Sequence, residues 1–226
     1  MGTYRWYVGR IVIVVTTRPR RLEYSESTRD ALVSSAVELF TLRGYSATSL
    51  DEVAKRARVT KGALYHHFTG KQALFEAAFA AVECKAMRRL GEIVSGAGRV
   101  WDAAMAGLRG YLGVCLDPAF QRIVVHEGPA VMGVQRWREA EERCSIGVIR
   151  AQLEKLHVAG QLVDLPLEVA TRLLHGALSA GATMIANSPD SRRTGEEVVR
   201  SITRILEGLR PPAARAELDT PPVQLA

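Results

Sequence analysis

From Thr28 onward the apolar residues recur at three and four positions: Ala31, Leu32, Ser35, Ala36, Leu39 and Phe40. That spacing puts one stripe on one face of a helix. Ser27 or Thr28 is a candidate N-cap, Asp30 lies in the first turn, and Gly44 stops the helix at a C′ position. A second helix opens at Thr48-Ser49-Leu50-Asp51-Glu52, where Ser49 and Glu52 have capping-box spacing, and ends near Arg56 or Ala57. Arg58-Val59-Thr60 is a tight connection to a third short helix, Lys61 to Phe68. Gly70 breaks it, and a longer helix runs from Lys71 towards Leu90.

After the small-residue join Gly91–Gly98, the pattern predicts helices over Trp101–Leu116, Ala119–Glu127, Gln135–Ala159, Leu167–Asn187 and Gly195–Leu209. Their breakers are Asp117-Pro118, Gly128-Pro129, Gly160, Ser188-Pro189 and Pro211-Pro212. The expected fold is all-α: an N-terminal three-helix domain over 26–75 and a larger helical domain over 76–210. A basic, flexible extension (1–25) and a flexible Pro- and Ala-rich tail (211–226) flank them. The Ile11–Val15 run fits three readings: a sticky disordered extension, a short strand, or translation from an upstream start.

Composition narrows the class. Of 226 residues, 47% are hydrophobic and 24% charged, which is the profile of a globular chain with a real core. Aromatics at 6% and few turn clusters argue against an all-β fold. The formal charge of +6 is unevenly spread. Residues 1–90 hold 15 Lys/Arg against 8 Asp/Glu, and the rest hold 15 against 16. A basic module on a near-neutral body suggests a polyanionic partner for the module. Cys84, Cys115 and Cys144 are odd in number and include no C-x-x-C, so they read as buried thiols in a reducing cytosol. No apolar run reaches the length of a signal peptide or a membrane span, which predicts a cytoplasmic protein.

The stretch TSLDEVAKRARVTKGALYHHFTGK, Thr48 to Lys71, carries the chemistry. Two short helices joined by a three-residue turn have helix-turn-helix geometry. Ala54 is small where the helices approach, and Val53, Val59 and Leu64 close the corner. The outer face of the second helix then carries Lys61, Gly62, Ala63, Tyr65, His66 and His67. Lys61, Tyr65 and His67 carry donors for phosphates or base edges, and Gly62 and Ala63 allow close approach. The helix N-terminal amides favour phosphate. Thr48 and Lys71 stand at the starts of the flanking helices, where they would hold backbone phosphates, with Ser49 beside Thr48. His66 and His67 point about 100° apart on a helix and are not expected to share a metal.

Leu32 to Phe75 resembles the DNA-binding domain of the TetR family of bacterial transcriptional regulators. The resemblance rests on Ala36, Leu39-Phe40, Gly44-Tyr45, Thr48-Ser49-Leu50, Glu52-Val53-Ala54, and above all Lys61-Gly62-Ala63-Leu64-Tyr65-His66-His67-Phe68 followed by Lys71. It implies a three-helix head, a helical body, a homodimer through the last two helices, a small-molecule effector, and release from the operator on ligand binding. One departure stands out: the turn position usually held by Gly is Arg58. A left-handed Arg58 would cost about 1 kcal/mol.

In the body, Trp101, Met105, Phe120, His126, Met132, Trp137, His175 and Met184 are the pocket candidates, with Gly128–Trp137 as the pocket wall. Leu173, Leu174, Ala177, Leu178 and Gly181 form one stripe, and Ile202, Ile205 and Leu206 form another. These suit a four-helix interface between two copies. The expected function is a ligand-responsive, sequence-specific repressor on double-stranded DNA with a palindromic operator, without cofactor or metal. One alternative is a DNA-binding regulator that senses no small molecule. The other is a helical enzyme with an acquired head, which no nucleophile–base pair, phosphate loop or metal spacing supports.

Overall fold

The computed structural model describes residues 3–8, 11–16 and 20–212, with side chains from residue 25 on. Strands β1 (Thr3–Val8) and β2 (Ile11–Thr16) pair antiparallel, Tyr4 opposite Val15 and Tyr7 opposite Val12. The Ile11–Val15 run lies within strand β2. From Arg20 the described chain is helical. Helix α1 (Arg20–Arg43) starts well ahead of Thr28, so Ser27 and Thr28 are interior helical residues and not caps. The 1–25 boundary is corrected accordingly, because Arg20-Arg21-Leu22-Glu23 are all favourable helix residues that extend the helix backwards. The expected tail lies outside the described residues from 213 onward.

The chain divides into two compact units at Ala78/Phe79, within helix α4 (Lys71–Ser95). In the first unit, α1 is followed by α2 (Leu50–Arg56) and α3 (Lys61–His67). Its core is Leu32, Phe40, Val53, Leu64, Leu74 and Phe75, all fully buried. Each such side chain contributes about 1.5–3 kcal/mol of burial free energy. Phe40, Tyr45 and Phe75 form a closed triangle of rings, with centroids 5.3–5.8 Å apart in tilted and edge-on pairs. It joins α1, the turn after it and the start of α4. Gly44 (φ 79°) ends α1, its N–H donating to the Phe40 carbonyl at 2.8 Å.

The second unit holds α5 (Val100–Cys115), a π-helical segment (Phe120–Glu127), α6 (Gly128–Met132), α7 (Val134–Val158), α8 (Leu167–Ala186) and α9 (Ser191–Gly208). Helix α8 packs on α7 and α9, and α9 packs on α5. The α5–α9 approach is close: a Cβ on Gly195 would lie 2.1 Å from Leu112 Cδ1, so a larger residue there would have to displace the Leu112 side chain. The turn residues Asp117-Pro118 start the π-helical segment, and the Asp117 carboxylate accepts from the Ala119 and Phe120 amides.

The turn between α2 and α3 is a Schellman motif. The Val59 N–H donates to the Ala54 carbonyl at 3.0 Å, and the Arg58 N–H to the Lys55 carbonyl at 3.2 Å. Arg58 has φ 57°, the one non-glycine residue with positive φ among the described residues. Relieving the clash of its Cβ stabilises the head, and the extra freedom of an unfolded glycine offsets part of that gain. We expect Arg58→Gly to raise head stability by about 0.5–1 kcal/mol, and the β-branched Arg58→Val to lower it by a similar amount or more. Urea unfolding of the two variants checks both signs.

Candidate nucleic-acid interface and body cavity

The geometry of α3 follows from its ends and one anchor. Thr60 is its N-cap, its hydroxyl accepting from the Ala63 amide at 3.1 Å. Leu64 is the only buried residue of the helix, at 0% exposure. Phe68 follows, buried, with the Arg29 guanidinium 5.4 Å from its ring centre. With Leu64 turned inward, Lys61, Gly62, Tyr65 and His66 are exposed, and Ala63 and His67 are half-buried. Tyr65 is 51% exposed, a large aromatic side chain presented to solvent. Lys61 Nζ lies 2.8 Å from Asp51, whose hydrogen bond and charge raise the lysine's pKa.

Helix α2 is fixed by the capping box expected from the sequence. The Glu52 amide donates to Ser49 Oγ at 3.2 Å, and the Ser49 amide donates to Glu52 Oε2 at 2.9 Å. Those bonds to Ser49, with help from Arg43 at 2.6 Å, lower the Glu52 pKa. Ser49 itself is exposed, but its hydroxyl is engaged in the cap.

Two residues expected to face phosphate are used differently. Thr48 is 2% exposed, and its hydroxyl donates towards the carbonyls of Gly44 (2.8 Å) and Leu39 (3.3 Å). It pins the turn before α2, because a short hydroxyl beside free end-of-helix carbonyls bonds them in preference to solvent. Lys71 is half-buried: its ammonium donates to the Ser46 carbonyl at 3.2 Å and lies 4.5 Å from the centre of the Tyr45 ring. Among the described residues, no group of three or more His, Cys, Asp and Glu side chains is placed to hold a metal ion.

In the body, the pocket candidates are scattered. Trp101, Met105, Phe120 and Met132 are buried; His126 is exposed and Met184 is 60% exposed. At the Gly128–Trp137 break the Trp137 side chain packs against Gly128. Trp137 donates its indole N–H to the Val124 carbonyl at 2.9 Å, and its ring sits 2.8 Å from where a Gly128 Cβ would be. The indole fills the gap left by the break. Of the eight candidates, only Phe120 and His175 border the cavities found between α4, α5, α7, α8 and α9.

One cavity, of about 100 Å³, is apolar and bordered by Leu108, Leu153, Leu156 and Leu174 among others. A second, of about 70 Å³, carries Glu83, Glu141, Ser145, His175 and Ser179. Sequence reading missed both carboxyls. Glu83 and Glu141 are charged residues at inward positions of long helices, and only their solvent-like type was visible. Burial pushes the Glu83 carboxyl up to about 8, and Glu141 beside it adds to the effect. Burial also raises Glu141 and lowers His175.

The dimer candidates divide as well. Leu173 (70%), Ala177 and Ile205 (59%) are exposed, with Val169 and Met184 also exposed on α8. Gly181, Ile202 and Leu206 are buried, Gly181 close against Val198. Leu174 and Leu178 are half-buried and border the cavities. Leu165, Val169, Leu173, Ala177, Ile205 and Leu209 border an open apolar groove of about 420 Å³ across α8 and α9.

A small helix-turn-helix with a solvent-facing second helix, ahead of a larger helical body, is the architecture of a DNA-binding transcriptional regulator. Comparison with known proteins specifies the class. Residues 32–78 match the model described as bacterial regulatory proteins, tetR family, and residues 101–209 match the tetracyclin repressor-like C-terminal domain. The Transposon Tn10 TetC protein of Escherichia coli is 32% identical over 165 residues, covering 68% of this chain and 78% of that protein. A TetR-family regulator from Pectobacterium atrosepticum superposes with a TM-score of 0.74 at 28% identity, covering 85% of this chain and 98% of its own. The fold also matches RolR in complex with resorcinol, with a TM-score of 0.63 at 19% identity, over 91% of this chain and all of that one. The chain belongs to the TetR family of transcriptional regulators, DNA-binding proteins of the repressor type.

The raised Glu83 pKa has a consequence for stability. A carboxyl near 8 in the folded state and near 4.5 when unfolded binds its proton more tightly when folded. Folding stability is therefore greatest below pH 4.5 for this group and declines as pH rises from there through about 8. The decline is at most one proton's worth, about tenfold in the folding constant per pH unit. We expect Glu83→Gln to flatten this slope, as read from urea unfolding at pH 5.5, 7 and 8.5.

Proposed function

We propose that the protein is a cytoplasmic homodimeric repressor that binds a near-palindromic operator and leaves it when a small molecule occupies the body. The observation that carries the DNA half of this reading is the exposed α3 face. Lys61, Gly62, Tyr65 and His66 face solvent on a helix whose only inward side chain is Leu64. Presented to a major groove, Gly62 and Ala63 let the backbone come close, while Tyr65 and Lys61 reach phosphate or base edges. The Lys61 ammonium would exchange Asp51 for phosphate. An exposed pair of this kind holds its partners weakly, with about 0–1 kcal/mol. Ser49, His66 and His67 remain candidate contacts at the margins. Thr48 and Lys71 act at one remove, holding the turns that present the face.

The dimer reading rests on the apolar groove of α8 and α9. Leu173 and Ile205 stand in solvent there, beside Val169. Large aliphatic side chains grouped this way on two neighbouring helices are a burden for a monomer and suit a four-helix interface. A two-fold dimer sets two α3 helices about 34–36 Å apart, one turn of DNA. The ligand reading rests on the cavities between the body helices and on the resorcinol held by a protein of the same fold. Such a ligand lowers operator affinity only by its preference for the form that does not fit DNA.

Selection of bound duplexes from a random library at moderate salt tests the reading. An inverted repeat with half-sites one helical turn apart is the expected result. Recovery of no motif, with binding lost as salt rises, would reduce the head to non-specific phosphate attraction. On the selected duplex, Tyr65→Ala is expected to weaken binding tenfold or more with unfolding unchanged. Lys71→Ala should weaken binding and also cost about 0.5–1 kcal/mol of stability, since it loses the Tyr45 ring and the Ser46 carbonyl.

The interface has its own test. Leu173→Glu with Ile205→Glu should lower the solution mass, measured by light scattering, to that of one chain, and reduce operator affinity at the same time. A double variant that remains dimeric with full affinity would place the interface elsewhere.

A further inference from the structure

We propose that the body cavity is a site for a compact organic cation with an apolar body, whose ammonium group is held between Glu83 and Glu141. The proposal rests on the reading of this unit as the effector-binding part of the protein, and it names the chemical class.

The two cavities adjoin, and the proposed site takes them as its two lobes. Leu90, Tyr111, Val148, Ile149 and Leu178 border both. One lobe is hydrocarbon and the other holds the polar groups. Together they are of the order of the ~150 Å³ cavity that accepts benzene in an engineered protein core. A single ring with a short charged arm fits that size and that division.

The polar lobe is built for a positive guest. Glu83 is 2% exposed, and its Oε2 has no hydrogen-bond partner. Glu141 is 8% exposed, and the Ser179 hydroxyl lies 3.1 and 3.2 Å from its two oxygens. One hydroxyl leaves most of that carboxylate's acceptor capacity unused. No Lys or Arg borders either lobe, although the charge of Arg138 on α7 acts on Glu141 and lowers its pKa against the effect of burial. The Tyr111 hydroxyl is spent on the Leu178 carbonyl, and the Cys144 thiol bonds Glu83.

Two acids this deep, without a basic partner in the lobe, are costly in the empty protein. The empty protein limits the cost by keeping Glu83 protonated at neutral pH, because burial holds its carboxyl near 8. A cation reverses the balance: it favours the ionised carboxylate and displaces the proton. An anion would meet two acids, and a neutral guest would leave Glu83 Oε2 as it is. Besides Glu141, the titratable groups around Glu83 are Cys144 on α7, Tyr111 on α5, His175 on α8 and the neighbouring Cys84 on α4. Burial lowers His175, so it is neutral at pH 7 and does not compete for the role of cation.

Isothermal titration of the full-length protein with three probes on one phenylethyl frame tests this: phenethylamine, its near-isostere 2-phenylethanol, and the anion 3-phenylpropanoate. The amine should bind at least tenfold more tightly than the alcohol, and the acid should not bind. Glu83→Gln and Glu141→Gln should each weaken the amine tenfold or more and leave the alcohol unchanged. At pH 7 the heat should vary with the ionisation enthalpy of the buffer, reporting the proton that leaves Glu83. Alcohol binding equal to amine binding, amine affinity indifferent to both substitutions, or no binding by any of the three would each overturn the proposal. The comparison of probes on the unmutated protein holds even if a variant folds poorly. If the alcohol or acid binds and releases the selected duplex, the cation class falls while the effector reading stands. If the amine binds as expected without changing duplex affinity, the cation site stands and the effector reading falls.

Discussion

Helix α3 is seven residues long and turns a single side chain, Leu64, fully inward. Two turns of isolated helix are unstable in water, so this one exists because its ends and that anchor are held. The Schellman turn at Arg58 fixes where α3 begins, Thr60 satisfies an amide at its start, and buried Phe68 fixes where it stops. Rotating α3 by one residue, about 100°, would bring Tyr65 into the corner and expose Leu64. The burial of one leucine therefore decides which residues the head shows to solvent. The small neighbours Val53 and Ala54 let α2 come close enough to receive it.

That constraint explains which parts of the molecule were legible in the sequence. Helix periodicity, the Ser49–Glu52 box and the Gly44 stop are local, and local rules place α2, α3 and the long body helices within a few residues. The start of α1 was misread because capping residues at Ser27 and Thr28 suggest a beginning that the backbone overrides. Thr48 was misread because a threonine at a helix start serves phosphate or its own backbone equally well in one dimension. Its hydroxyl is consumed by Gly44 and Leu39 carbonyls that only the folded turn brings near. The body was least legible. Gly128-Pro129 does mark a break, but whether a break opens space depends on a distant side chain, and Trp137 fills it. The residues around the two cavities come from five helices and the π-helical segment, at unrelated spacings.

The dimer stripes show the same division on a finer scale. Helices α8 and α9 are apolar on more than one face, since each packs against the body and also carries an exposed strip. Periodicity marks all of these residues as apolar and does not sort Gly181, Ile202 and Leu206, which face inward, from Leu173 and Ile205, which face out. A helix apolar over more than a third of its circumference signals two neighbours. The identity of each neighbour comes only from packing.

The head and the body place charge by opposite rules. On the head, cations stand in pairs with exposed acids: Lys61 with Asp51, Arg43 with Glu52 and Arg56 with Glu38. Water screens these pairs, so exchanging a carboxylate for another anion changes little in energy. In the body, Glu83 and Glu141 lie where water does not screen, and the protonation of Glu83 takes the place of a partner. Weak pairing at the surface suits a contact made and broken with salt-sensitive DNA. A buried acid that is neutral when empty suits discrimination, because its full electrostatic attraction appears only when a positive group enters.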